Sequence, residues 1–199
     1  MKITTPGRIC LFGEHQDYLG LPVIALAISL RSTIKAVRRN DRKIIINMPD
    51  VNQVEEFSLD NLSYTKDRDY FKSAIRVCQK EGLNYKNGFD STIQSNIPIQ
   101  AGTSSSSSIV VGWIKLISSL ADNPPSWDNQ TIGRLAYEAE VLEFDEPGGM
   151  MDQFSTALGG CIYLSQNPFQ IKKITPDIGA FVLGNSNESK DTLSILRLC

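Results

Sequence analysis

Residues 102–120 place the strongest constraint on the fold of this chain. A glycine and a run of serines, in GTSSSSS, lead directly into the apolar sequence IVVGWIKLISSL. Because residues 109–120 carry apolar side chains around the whole helical circumference, they predict a central helix that is covered on most sides. The preceding sequence GFDSTIQS alternates apolar and polar residues and predicts a strand. A strand, a loop and a buried helix are therefore expected at the core.

The serine-rich loop between this strand and this helix has the composition of an anion site. Free backbone N–H groups, small hydroxyls and the positive end of a helix dipole together suit a phosphate group. A serine run is also typical of a flexible linker, but linkers seldom lead directly into an apolar helix. The sequence favours a phosphate site, although the Walker pattern GxxxxGK[ST] is absent.

The rest of the chain alternates between strand-like and helix-like patterns. Strands are predicted at 3–11, interrupted by Pro6-Gly7, in two extended stretches within 23–37, in a hairpin of 43–48 and 51–59, and at 88–95, 161–165, 169–174 and 180–184. Helices are predicted at 70–81 with Asp69 as N-cap, from Asp128 to about Phe144, and at 151–158. A further helix is expected in 187–199, where uncovered apolar residues suggest a fragment of something larger.

Composition excludes several classes of function. The 199 residues include 41% hydrophobic and 21% charged residues with a net charge of −2, which gives no electrostatic basis for binding nucleic acid or an acidic membrane. No signal peptide and no apolar run of about eighteen residues is present. The chain has four cysteines without any CxxC pairing: Cys10, Cys78, Cys161 and Cys199. We interpret them as free thiols in a reducing compartment. We therefore expect a cytoplasmic protein.

Two further stretches concentrate reactive side chains. Residues 138–154, EAEVLEFDEPGGMMDQF, contain six carboxylates, most of which are typical of a solvated helix face. Asp152 differs because it follows a proline and two glycines and is flanked by apolar residues. Residues 6–21, PGRICLFGEHQDYLGL, contain Arg8, Glu14, His15 and Asp17 in a loop between apolar strands. Such a loop is either a binding site or a hairpin whose charges face water.

These three stretches resemble, in order and spacing, the motifs of the GHMP kinases, a family of sugar and isoprenoid kinases. Residues 6–20, PGRICLFGEHQDYLG, are similar to the galactokinase signature; PIQAGTSSSSS is similar to the family's nucleotide loop; and GGMMDQFSTALGG is similar to the segment that bears the catalytic aspartate. Mevalonate kinases share LFGEH but lack the Asp-Tyr that follows, so Asp17-Tyr18 favours a sugar as substrate.

The resemblance implies an ATP-dependent sugar 1-kinase in which Asp152 accepts the proton of the anomeric hydroxyl and Arg8 is its cationic partner. The residues implied to bind the sugar are Glu14, His15, Asp17 and Gly149. The residues implied to bind the nucleotide phosphates are Gly102, Thr103, Ser104, Ser105, Ser106 and Ser107. A Mg²⁺ ion would be bound by Ser106, with Ser105 as the alternative, and by Glu140 twelve residues before Asp152. Helical spacing keeps Glu143 as a competitor for Glu140, because it falls closer to the apolar face.

The fold implied by the resemblance is α+β, a mixed sheet with helices packed on one side. Residues 1–184 would form the GHMP kinase N-terminal domain, which binds ATP and sugar, and 185–199 would begin the connection to a C-terminal domain that is missing here. The sequence departs from the family pattern at Cys10, Gln100, Thr103 and Ser107, and none of these changes removes a reactive group. Two alternatives remain open: a paralogue that senses sugar and ATP without turnover, and a mevalonate-type kinase.

Overall fold

A mixed β-sheet forms one layer of the molecule in the computed structural model, which describes residues 1–99 and 101–184. Its strands are β1 (Lys2–Phe12), β2 (Val23–Arg38), β3 (Lys43–Met48), β4 (Gln53–Ser58), β5 (Phe89–Ser95), β6 (Cys161–Gln166) and β7 (Phe169–Ile174). The strand order is β4-β3-β5-β2-β6-β7, and β1 pairs with β2. The pair β3 and β5 is parallel, whereas the other described pairs are antiparallel. The sheet is therefore mixed, as predicted.

Four helices occur in the described part of the chain. They are α1 (Tyr70–Lys80), α2 (Ser105–Leu120), α3 (Asn129–Glu140) and α4 (Met151–Leu158). Of these, α2 and α4 contact the strands of the sheet, and α1 and α3 pack on other helices. Helix α2 lies against β1 and β2 and also contacts each of the other three helices. The prediction of a central, covered helix is confirmed, and so is the α+β fold with helices on one side of the sheet.

Trp113 of α2 anchors the core between the helices and the sheet. Its ring lies 4.9 Å from that of Phe71 and 5.3 Å from that of Phe89, measured between centroids. Its indole N–H donates a hydrogen bond of 3.1 Å to the carbonyl oxygen of Phe71, so the polar atom of this buried side chain is satisfied. Each large apolar side chain buried in this way stabilises the fold by roughly 1.5–3 kcal/mol. This packing holds α2 in place, and with it the serine-rich loop from which α2 begins.

Three element boundaries differ from the sequence prediction. Strand β1 continues through Pro6 because its pairing with β2 shifts register between Pro6 and Arg8, where a bulge tolerates the missing N–H. Helix α2 begins at Ser105, so part of the serine run forms its first turn. Helix α3 ends at Glu140, and a 3-10 turn over Leu142–Phe144 replaces the predicted continuation.

One prediction of local structure holds only in part, and a second is wrong. Asp69 occupies the N-cap position of α1 but makes no side-chain capping bond; its Oδ2 instead accepts hydrogen bonds from Thr65 and pairs with the buried Lys72 at 2.9 Å. The predicted strand at 180–184 is irregular backbone, and Val182 within it is 98% exposed, so nothing pairs with it or covers it among the described residues. The helix expected in 187–199, the domain boundary at 185 and Cys199 lie outside the described residues.

Two further predictions concern thiols and membranes. Cys10, Cys78 and Cys161 are free thiols, of which Cys78 and Cys161 are buried. Within residues 1–99 and 101–184, no helix is both long and apolar enough to cross a membrane.

Candidate active site

A cleft of about 710 Å³ opens where the loop after β1, the loop before α2, and the facing ends of α3 and α4 meet. All site residues predicted from the sequence line it, and they are Arg8, Glu14, His15, Asp17, Gly102, Thr103, Ser104, Ser105, Ser106, Ser107, Glu140, Gly149 and Asp152. The fold therefore brings three distant stretches of sequence together. We call the part formed by residues 13–20 and Gly149 the Asp17 end, and the part formed by residues 102–107 and Glu140 the serine end.

An ion pair between Arg8 and Asp152 lies between the two ends. The Arg8 Nε donates to Asp152 Oδ1 at 2.7 Å, and its Nη2 lies 2.5 Å from the same oxygen. Its Nη1 donates to the carbonyl oxygen of Gly102 at 2.6 Å, which ties the pair to the serine end. Arg8 is buried, whereas Asp152, in the first turn of α4, is 31% exposed and reachable from the cleft.

Electrostatics keep the Arg8 guanidinium charged in spite of its burial. Burial alone lowers the pKa of Arg8, but the negative charges of Asp152 and Glu14 oppose that effect, and the net result is a raised pKa.

A close backbone approach also fixes Arg8 in place. Its N–H donates to the carbonyl oxygen of Thr103 at 3.1 Å, and a Cβ on Gly7 would lie 2.9 Å from that same oxygen. Glycine at position 7 therefore lets β1 lie directly against the serine-rich loop.

At the Asp17 end, a buried carboxylate is held by the backbone. The Asp17 Oδ2 accepts a hydrogen bond of 2.9 Å from the N–H of Met151, and its carbonyl oxygen accepts one of 2.6 Å from Gln166 Nε2. Burial raises the pKa of Asp17, and the bond from Met151 only partly opposes this. A Cβ on Gly149 would lie 1.9 Å from Asp17 Oδ2, so no larger residue fits there without displacing the carboxylate.

The neighbouring loop residues present directional polar groups to the cleft. His15 has a φ of 60°, in the left-handed region that is uncommon for residues other than glycine. Its Nε2 lies 3.7 Å from the Oε1 of Glu14. Imidazole and carboxylate groups in such a loop can donate and accept hydrogen bonds in fixed directions, as recognition of a polyhydroxylated ligand requires.

The serine end has the features of an anion site. Gly102 and Ser104 have φ values of 70° and 56°, so the chain turns sharply just before α2 begins. The first N–H groups of a helix have no intrahelical partner and carry the positive end of its dipole. The hydroxyl of Ser104 is buried and has no hydrogen-bond partner among the described residues. Strained backbone and an unsatisfied buried hydroxyl at a helix N-terminus fit a bound phosphate group.

Glu140 places a buried carboxylate beside these serines. It is the last residue of α3 and is 6% exposed, and its Oε2 accepts a hydrogen bond of 2.7 Å from Gln153 Nε2. Burial raises the pKa of Glu140, while hydrogen bonds from Gln153, Ser106 and Ser107 oppose that rise. Carboxylate and hydroxyl oxygens are hard ligands of the type that Mg²⁺ prefers, so these residues fit a magnesium ion.

Glu143, the competitor for Glu140, points to different partners. It pairs with Lys80 and accepts a hydrogen bond of 2.5 Å from the Tyr64 hydroxyl, and it is not among the residues that line the cleft. Its helical spacing was misleading because α3 ends at Glu140. No cluster of three or more His, Cys, Asp or Glu side chains able to hold a metal ion occurs in the described part of the chain. A Mg²⁺ ion at Glu140 and Ser106 would therefore take most of its ligands from elsewhere, such as nucleotide phosphates.

Among the lining residues that were not predicted from the sequence, three have charged or amide side chains: Gln153, Arg68 and Glu146. Arg68 and Glu146 form a two-fold hydrogen-bonded pair across 78 positions of the chain, with Arg68 Nη2 2.9 Å from Glu146 Oε2. No local pattern indicates that pair. For Gln153 a signal exists, because it directly follows Asp152 in a segment with few polar residues.

Comparison with known proteins agrees with this geometry. A family model described as the GHMP kinases N-terminal domain matches residues 69–160, and one described as the galactokinase galactose-binding signature matches residues 2–39. The chain is 31% identical to a galactokinase of Clostridium beijerinckii over 94% of its own length and 50% of that protein. It is also 31% identical to a mevalonate kinase of Methanocaldococcus jannaschii over 85% of its length and 55% of that protein.

Solved structures show the same relationship. The crystal structure of Lactococcus lactis galactokinase complexed with galactose matches with a TM-score of 0.78 and 27% identity, covering 86% of this chain and 46% of that one. The chain spans about half the length of the curated relatives it matches. The matched family models and these relatives show that the chain belongs to the GHMP kinases. It has their N-terminal domain and carries the galactokinase galactose-binding signature.

Proposed function

We propose that this chain supplies the active site of an ATP-dependent sugar 1-kinase, similar to galactokinase, that phosphorylates the anomeric hydroxyl of a hexose. The observation that carries the proposal is the Arg8–Asp152 pair, which stands between the Asp17 end and the serine end of one cleft. A sugar at the Asp17 end and a triphosphate at the serine end would meet at Asp152. Phosphoryl transfer depends mainly on such positioning and on charge stabilisation.

In this mechanism Asp152 accepts the proton of the anomeric hydroxyl. Arg8 engages Oδ1 with two nitrogens, so we assign the proton to Oδ2. The anomeric oxygen forms a bond to the γ-phosphorus as the bond from that phosphorus to the β,γ-bridging oxygen breaks, and ADP leaves. The Arg8 guanidinium stabilises the negative charge that develops on the sugar oxygen. Mg²⁺, when bound at Glu140 and Ser106, would supply charge neutralisation for the phosphates.

The charges that line the cleft favour a neutral acceptor. The carboxylates that line it are Glu14, Asp17, Glu140, Glu146 and Asp152. Among the described residues of the lining, the arginines are Arg8 and Arg68, and each is paired with a carboxylate. A hexose can exchange hydrogen bonds with such a surface, whereas an acceptor that itself carries a carboxylate would be repelled by it.

A mevalonate-type kinase is the second candidate, because mevalonate kinases match this chain at an identity similar to that of the galactokinases. The acceptor is what separates the two candidates. Mevalonate carries a carboxylate that the charge of the Asp17 end opposes, so we expect a hexose to be the better acceptor.

The test is transfer of labelled γ-phosphate from ATP to a panel of hexoses and to mevalonate by the purified full-length protein that contains this chain. Asp152→Asn should lower kcat for the best hexose by about 100- to 10,000-fold, the usual contribution of a positioned general base. Asp145→Asn is the matched control, since Asp145 lies exposed in the same acidic stretch and should leave kcat unchanged. Transfer to no hexose, or a rate that is insensitive to Asp152→Asn, would contradict the proposal.

A further inference from the structure

Gln153 links the two helices that carry the acidic residues of the cleft. It follows Asp152 in α4, is 3% exposed, and reaches the last residue of α3. Its Nε2 donates a hydrogen bond of 2.7 Å to Glu140 Oε2 and lies 3.5 Å from Ser107 Oγ. The bond joins residues thirteen positions apart, so it depends on the tertiary fold.

The partner of Gln153 fixes the orientation of its amide group. An ionised carboxylate can only accept hydrogen bonds, so the NH₂ group must face Glu140 and the Oε1 atom must face away. That Oε1 is buried and has no hydrogen-bond partner among residues 1–99 and 101–184. An unsatisfied buried acceptor destabilises a fold, so a glutamine is a poor choice here for stability alone. Its presence is better explained by what its N–H does for Glu140.

Glu140 needs such a donor because of where it lies. As the last residue of α3, its carboxylate is close to the negative end of the helix dipole and is buried. Both features disfavour the charged form of the carboxylate at this position. A fixed N–H on one of its oxygens holds the carboxylate plane in a single orientation beside the hydroxyls of Ser106 and Ser107.

We propose that Gln153 is the positioning residue of the divalent cation site, and that its amide N–H holds the Glu140 carboxylate in the orientation that binds the cation of a metal–nucleotide complex. The inference rests on the proposed function, in which the serine end binds MgATP. Residues that hydrogen-bond to a metal-ligating group commonly change metal affinity by about 10- to 100-fold when replaced. Gln153 would act in this way without touching substrate itself.

The test measures Mn²⁺ binding in the presence of a non-hydrolysable ATP analogue, with free Mn²⁺ followed by electron paramagnetic resonance. Gln153→Met keeps the length of the side chain but cannot donate, and it should raise the Kd for Mn²⁺ by about tenfold or more. The Kd for the hexose should change by less than about twofold. This split separates positioning from a general loss of structure. If Gln153→Met does not fold, Gln153→Ala, which also lacks the donor, carries the same expectation.

Gln166→Met is the matched control because Gln166 also donates from Nε2, but to the backbone of Asp17 at the other end of the cleft. Its Kd for Mn²⁺ should remain that of the unsubstituted chain. A double variant gives the decisive comparison. If Gln153 acts through Glu140, then Glu140→Gln with Gln153→Met should bind Mn²⁺ no more weakly than Glu140→Gln alone.

Two results would overturn the inference: an unchanged Kd for Mn²⁺ in Gln153→Met, or the same further loss when Gln153→Met is added to Glu140→Gln. The proposed function fails in a different way, through absence of phosphate transfer to any hexose by the unsubstituted full-length protein. The two proposals can therefore be rejected independently.

Discussion

The two ends of the cleft hold their buried carboxylates by different means. At the Asp17 end, the carboxylate accepts a main-chain N–H from Met151 and lies against Gly149. At the serine end, Glu140 is held by side chains, chiefly that of Gln153. The position of Asp17 therefore depends on the path of the backbone, whereas the position of Glu140 depends on which side chains surround it. We expect the Asp17 end to be sensitive to added atoms and the serine end to be sensitive to lost hydrogen bonds.

Among the substitutions that test this difference between the two ends, Gly149→Ala is expected to have the largest effect. The added Cβ would lie within 1.9–2.5 Å of all three atoms of the Asp17 carboxyl group, so the carboxylate or the backbone must move. We expect the free energy of unfolding to fall by about 1–3 kcal/mol, as is typical of overpacking, with loss of detectable hexose binding. Urea unfolding and calorimetric titration with the hexose measure the two effects.

Gly148→Ala is the matched control for that substitution. Its Cβ would meet Val141 at 3.4 Å, an ordinary contact distance, so stability and hexose affinity should change little. Equal effects at both glycines would mean that the segment is sensitive to any substitution, and the close approach to Asp17 would then not explain the result.

A smaller effect, on the pH dependence of stability, is expected at both ends when the buried carboxylate of Asp17 or of Glu140 is replaced by an amide. Burial raises the pKa of Asp17 and of Glu140 in the folded protein above the value of about 4 for an unfolded carboxyl group. The folded state therefore keeps protons that the unfolded state has released, and its stability decreases as pH rises from about 4 through the raised folded pKa. Asp17→Asn and Glu140→Gln should each remove part of this decrease.

Urea unfolding across pH 3–7 measures this contribution. Relative to the unsubstituted chain, each variant should gain free energy of unfolding as the pH rises, and the gain should level off above the folded pKa. Curves that stay parallel over the whole range would contradict the burial argument. The ends should still differ in binding: Asp17→Asn should weaken the hexose, and Glu140→Gln should weaken the cation.

The sequence predicted the fold well where one signal dominates. The apolar circumference of 109–120 can be satisfied only by a covered helix, and α2 is the central helix. Prediction failed where one local contact outcompetes another. Asp69 has the residue type and position of an N-cap, yet the buried ammonium of Lys72 binds its side chain more favourably than the helix N–H groups do.

The candidate site also contains some residues that could be predicted from the sequence and others that could not. The site residues predicted from the motifs all line the cleft. Their roles in binding and catalysis remain predictions. The Arg68–Glu146 pair escaped prediction because its contact is created only when separate elements pack together. The position of Gln153 directly after Asp152 was a signal, but its contact with Glu140 also depends on the packing of two helices. Glu143 was a plausible alternative only as long as α3 was expected to extend past Glu140.

The smallest effect is expected from Asp128→Ala, which tests whether the position of Glu140 depends on the backbone of α3 or on the side chains around it. Asp128 caps the start of α3, with Oδ1 accepting a 2.8 Å hydrogen bond from the N–H of Thr131, and Glu140 ends the same helix. Asp128→Ala should lower the free energy of unfolding by about 1 kcal/mol, and Asp128→Asn, which can still cap, should have almost no effect. Because α1, α2 and α4 all pack against α3, the far end of the helix should stay in place. The Kd values for Mn²⁺ and for the hexose should then remain unchanged in Asp128→Ala. A loss of Mn²⁺ affinity would show that Glu140 also depends on the helix backbone, and the distinction between the two ends of the cleft would not hold.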